Sequence, residues 1–247
     1  MNREVMVFRD ARRLAECARD IWGDVCRTSS EAGYFRAVLS GGETPIPLYQ
    51  SLAEEGVSCS WDATHIYFAD ERFVPFDHPD SNYGAIRKVL LDKVPLRPSQ
   101  VHPVPVEGSP EAAAIRYEQE IRAEFGLPDG KPSFDLAVLG IGEDGHTASL
   151  FPGTPVLREK RRIAAPVFPE TAAHARITLT FPVLNKCRTV MFIVTGRKKA
   201  AVLAGTLAGE PGIPAVRVRP RGRLFYLLDD AAASAWKRTG VETGEAV

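Results

Sequence analysis

The stretch Phe134 to Gly153, reading FDLAVLGIGEDGHTASLFPG, sets two acids and a histidine between glycines where an apolar run stops. A free imidazole titrates near ~6.5, so His146 suits a general base at neutral pH. Of the five histidines it alone lies in a glycine-rich loop. Asp144, two residues earlier, is placed either to orient the ring or only to shape the turn. Gly140 to Gly145 also satisfies G-x-G-x-x-G, the dinucleotide fingerprint. That reading fails on charge and length. Glu143 and Asp144 would confront a pyrophosphate with two negative charges, and Pro152-Gly153 stops any helix after about two turns, short of a crossover helix.

Three other stretches carry polar chemistry. Ser40-Gly41-Gly42-Glu43-Thr44-Pro45 leaves backbone N–H groups bare ahead of a helix, a ready anion site, with Thr44 as N-cap and Pro45 as first helical residue. It is not a Walker loop, since no Gly-Lys-Ser/Thr follows. Asp70-Glu71-Arg72 sets three charges at the end of an apolar strand. Lys198 and Lys199 stand at a helix start, where the dipole disfavours cations unless an anion lies between. Together these features point to a phosphorylated small molecule as ligand.

The elements that must position these groups follow from periodicity. Residues 134–139 are short and apolar and read as a buried parallel strand, whose carboxyl end is where ligands bind in open α/β sheets. Further strands are expected over 5–8, 35–39, 65–69, 163–167, 175–181, 189–194 and 223–228. Helices follow Asp10, Thr44, Asp80-Ser81-Asn82, Ser109-Pro110 and Gly196, with a short closing helix through Trp236. Pro95 to Pro105, which contains His102, reads as a surface loop, and Arg158 to Arg162 as a solvated helix end. The fold expected is α/β: a single domain over 1–247 with a mostly parallel sheet flanked by helices.

Composition narrows the function classes. The chain of 247 residues has 31 Lys plus Arg and 31 Asp plus Glu, which gives no sign of a nucleic acid or membrane partner. Cys17, Cys26, Cys59 and Cys187 form no C-x-x-C pair or metal-ligand spacing and read as reduced thiols of a cytosolic protein. The N-terminus shows no apolar segment of a secretory signal, and no run nears the ~18 residues of a membrane span.

These motifs, in register from about residue 36 to residue 220, resemble those of the 6-phosphogluconolactonase family. The resemblance rests on SGGETP at 40–45, DERFVP at 70–75 with Ser81-Asn82, GIGEDGHTASLFPG at 140–153, RITLT at 176–180, TGRKKA at 195–200 and PAVRVRP at 214–220. It implies a Rossmann-like fold of the NagB kind. It also implies a cytoplasmic carboxylic ester hydrolase that opens 6-phospho-D-glucono-1,5-lactone to 6-phosphogluconate, in the oxidative pentose phosphate pathway, without metal or cofactor. His146 would take a proton from the attacking water, Arg72 would stabilise the oxyanion, and Asp144 would orient His146. Phosphate and sugar contacts would fall to Ser40, Gly41, Gly42 and Thr44 on one loop, and to Asp70, Asn82, Arg176 and Lys199 around it. Two alternatives share the phosphate site: a sugar-phosphate deaminase or isomerase using Asp70 as carboxylate base, and a non-catalytic sugar-phosphate sensor. Oligomeric state is open in the sequence, with a monomer favoured.

Overall fold

A computed structural model describes residues 2–54, 59–170 and 172–236. The chain opens with strand β1 (Asn2–Phe8) and helix α1 (Ala11–Glu31), whose first turn is capped by Asp10 accepting from the Arg13 N–H. Helix α1 runs on through the polar stretch Ser29-Ser30-Glu31, with Ser29 buried against the core. Then come β2 (Phe35–Leu39), α2 (Ile46–Leu52), β3 (Thr64–Phe68), β4 (Asp70–Arg72), α3 (Asn82–Val89), β5 (Val101–His102) and α4 (Pro110–Glu124). The second half holds β6 (Leu136–Leu139), β7 (Ala164–Val167), β8 (Arg176–Leu179), α5 (Phe181–Leu184), β9 (Thr189–Val194), α6 (Ala200–Ala208) and β10 (Arg223–Asp229).

Seven strands form a parallel sheet in the order β1-β10-β9-β6-β2-β3-β5. From β2 the chain builds outward through β3 to β5; from β6 it builds the other way through β9 and β10. The order therefore reverses between β2 and β6, and the loops after those two strands diverge there to leave a crevice. Both faces of the sheet are covered, so its central strands are apolar throughout: all six residues of β9 and all four of β6 are buried. Trp22 of α1 is fully buried with its ring edge-on to Phe35 at 5.0 Å. Large side chains buried this completely contribute about 1.5–3 kcal/mol each. Helix α4 is pinned by Tyr117, whose hydroxyl donates to the Phe68 carbonyl at 3.0 Å and accepts the Phe68 N–H at 2.9 Å.

A second sheet, β4-β8-β7, is antiparallel; β7 and β8 fall on expected strands, while β4 and the separate sheet were not expected. Ala69 joins the two sheets: its N–H donates to Leu39 at 2.8 Å and its carbonyl accepts from Leu179 N–H at 2.7 Å. One continuous core spans both. Four further expectations are corrected. Thr44 makes no capping bond, and α2 starts after Pro45, which occupies the cap in helical geometry. His102 is 3% exposed in a two-residue strand, not on a surface loop. Cys26 and Cys59 are paired as a disulfide rather than held as thiols, while Cys17 and Cys187 are free. The closing helix is a single 3-10 turn, Ala232–Ala235. Among the described residues no helix is long and apolar enough to cross a membrane.

Candidate active site

The crevice at the reversal point is a cleft of about 320 Å³. Its walls come from the loops after β2 and β6, from β4 and β8 and from the start of α3, with Lys199 reaching in from the turn before α6. Ten of the eleven expected site residues line it; Asp144 stands behind His146.

The histidine is held by its own loop. Gly145 takes a φ of +84°, which lets the chain double back, and its N–H donates to Gly142 at 3.0 Å. Asp144 Oδ1 then lies 2.5 Å from His146 Nδ1 and accepts the His146 N–H at 3.1 Å. Burial by itself would raise the Asp144 carboxyl. Hydrogen bonds from the His146 backbone and ring, with the His146 charge, outweigh it and hold the group below the ordinary carboxylate value. A carboxylate on Nδ1 leaves Nε2 as the ring nitrogen free to take a proton. Phe151 packs against the imidazole at 4.4 Å. Gly142 cannot be larger, since a Cβ there would overlap His146 Nδ1 and Asp144 Oδ1.

Opposite stand the cations. In the β4–β8 ladder Arg72 and Arg176 are direct partners, an arrangement that destabilises a sheet unless negative charge intervenes. Arg72 Nη1 donates to the Asp80 carbonyl at 2.5 Å. Arg176 Nη1 is buried with no partner among the described residues, and burial followed by the charge of Arg72 lowers its pKa. A buried, unpaired guanidinium donor is costly, and an anion would satisfy it.

The carboxylates and amides around this pair are tightly placed. Asp70 Oδ2 accepts from Ser149 Oγ at 2.5 Å, and the Asp70 carbonyl accepts from Asn82 Nδ2 at 2.9 Å. Gly41 is required for close approach, because a Cβ would overlap Asn82 Oδ1. Ser40 lines the cleft but donates its hydroxyl proton to the Val138 carbonyl at 2.7 Å, clamping β2 to β6. Gly42, at φ +89°, and Thr44 complete that loop at the entrance.

The match of residues 9–226 to the family described as glucosamine-6-phosphate isomerases/6-phosphogluconolactonase decides the kinship. The chain belongs to that family. The 6-phosphogluconolactonase of Nostoc sp. is 37% identical over 240 residues, covering 95% of this chain and 98% of the relative. That of Synechocystis sp. is 39% identical over 213 residues, 84% of this chain and 87% of the relative. The crystal structure of Thermotoga maritima 6-phosphogluconolactonase superposes with a TM-score of 0.82 at 30% identity, covering 92% of this chain and all of that one, 100%.

Two residues of this family member escaped the reading of the sequence. Glu71, 1% exposed, accepts from the N–H groups of Arg72, Asn82 and Tyr83, each at 2.7 Å, and from Ser81 Oγ at 3.2 Å. Burial pushes its carboxyl up against those N–H donors, which pull the other way. It ties the Arg72 strand to the first turn of α3. The middle place in an Asp-Glu-Arg triplet was its signal. Ser149, three residues past His146 in the same loop, holds Asp70.

Proposed function

We propose that this chain hydrolyses 6-phospho-D-glucono-1,5-lactone to 6-phosphogluconate, the lactone-opening step of the oxidative pentose phosphate pathway. One observation supports it most: a carboxylate-bound imidazole and an arginine with an unpaired, buried guanidinium nitrogen line the same cleft. In this reading His146 Nε2 takes a proton from a water molecule as its oxygen attacks the lactone carbonyl. The carbonyl oxygen becomes an oxyanion, which Arg72 stabilises. Collapse breaks the ring C–O bond, and the departing alkoxide takes the proton back from His146. Asp144 keeps the ring in the right tautomer and balances its charge while protonated. The phosphate is bound by the N–H groups of Gly41 and Gly42, the Thr44 hydroxyl, Arg176 and Lys199. Asp70 and Asn82 orient the sugar, and Ser40 shapes the loop. Spontaneous lactone opening is already appreciable, so one base and one electrostatic stabiliser, each worth ~10²-fold or more, suffice.

A single domain over 1–247 acting as a monomer, and a cytoplasmic location, are part of the same reading. The test is hydrolysis of freshly generated 6-phosphogluconolactone against the uncatalysed background. Turnover that His146→Ala reduces by ~10²-fold or more, with ligand binding retained, would support both activity and base. No rate above background would sink the reading, and turnover of glucosamine 6-phosphate would put a deaminase with Asp70 as base in its place.

A further inference from the structure

Away from the cleft, β3 and β5 gather imidazoles at the sheet edge. His65 and Tyr67 project to one side of β3, as alternate strand residues do, and Tyr67 pairs in register with His102 on β5. The Tyr67 and His102 rings stack at 4.3 Å and 9°. His102 Nδ1 lies 2.9 Å from Glu120 Oε1 on α4. A carboxylate there keeps the proton on Nδ1 and leaves the Nε2 lone pair free. His65 Nδ1 stands 3.0 Å from that Nε2. Glu124, one turn beyond Glu120 on the same face of α4, brings a carboxylate oxygen so that it and one nitrogen of each ring all lie within 4.8 Å of one another.

That spacing fits a metal ion. Two imidazole nitrogens bound to one zinc at about 2.0–2.1 Å stand about 2.8–3.4 Å apart for bond angles of roughly 90–110°. A plain hydrogen-bonded chain from His65 through His102 to Glu120 accounts for the two ring contacts but gives Glu124 no part. We propose that His65 Nδ1, His102 Nε2 and the Glu124 carboxylate form a binding site for a divalent transition-metal ion, zinc matching best, with water completing the shell. Two imidazoles and a carboxylate are a donor set that zinc and its neighbours accept, and Glu120 supplies the outer carboxylate that orients a ligating histidine. On binding, His65 carries its proton on Nε2. Among the charged groups acting on His65, Glu124 opposes Arg36 and Arg97. Asp70 lies five positions beyond His65, roughly 16 Å of strand at about 3.3 Å per residue. The ion therefore ties α4 to the sheet edge and takes no part in lactone opening.

The test titrates chelator-stripped protein with Zn²⁺ and with Co²⁺, following heat, cobalt absorption and the thermal midpoint. One ion per chain should bind, raise the midpoint and leave turnover unchanged. Glu120→Gln should weaken binding about 10–100-fold, and His65→Ala more. Glu124→Gln, at an exposed position, should weaken it without disturbing the fold. His174→Ala serves as control, because His78, Asp80 and His174 form the other cluster among the described residues with suitable donors. There His78 Nδ1 already accepts the Asp80 N–H at 3.1 Å. No binding by the wild type, binding that survives His65→Ala, or binding lost only in His174→Ala would overturn the proposal.

Discussion

Asp144 and His146 share a short contact, and their division of labour can be separated kinetically. Asp144→Asn keeps the size of the side chain but offers His146 Nδ1 either a neutral acceptor or a competing donor. We expect kcat to fall by ~10²-fold or more with KM little changed. A KM rise with kcat intact would instead make Asp144 a binding residue. Lys199→Ala should raise KM for the phosphorylated lactone and leave its value for unphosphorylated gluconolactone unaltered, since the lysine is assigned to phosphate alone. Equal effects on both substrates would remove it from the phosphate site. Gly142→Ala should abolish turnover while circular dichroism stays native, because the added methyl takes the space of the imidazole.

Among the elements, the short strand β4 and the start of α3 depend on one buried carboxylate. Glu71→Gln replaces an acceptor oxygen by an NH₂ group that must face an N–H, so about 1–3 kcal/mol of stability should be lost in denaturant unfolding. An unchanged midpoint would show that these N–H groups find other partners. The same region marks where the sequence stopped being informative. Every strand of the large sheet except β5 was legible because runs such as Thr189–Val194 are apolar and bounded by turns, and the cleft loops because glycine, acid and histidine seldom serve packing together. Strand β4 has three residues, all charged, so no alternation announces it, and its partner β8 lies about a hundred residues on. His102 sat among prolines that signal a loop, while its burial comes from stacking on Tyr67. The Cys26–Cys59 pair spans a separation of 33 residues without motif, and tertiary folding alone brings its sulfurs together. Thr44 looked like a cap, but Pro45 already holds helical geometry at that position.

For the whole molecule, acid should loosen the fold from the edge that holds the histidine pair. Burial, with the charge of His102, pulls the His65 imidazole below its ordinary 6.5. Between that lowered value and 6.5 the unfolded chain binds more protons than the native one. The contribution is therefore fully present above pH ~6.5 and is lost as pH falls through the lowered value. Thermal midpoints measured from pH 7.5 down to 5.5 should fall, and less steeply in His65→Gln; equal slopes would mean that other groups control acid sensitivity. The sheet order has a kinetic consequence as well. Strands β2 and β6 are neighbours, and the Ser40 to Val138 bond joins residues 98 apart. The cleft opens at that seam, so it cannot exist in any half-finished chain. Long-range closure of this kind comes late and slowly. Recovered turnover during refolding should therefore lag behind recovered helix signal, which makes lactone opening a clock for the last seam to close.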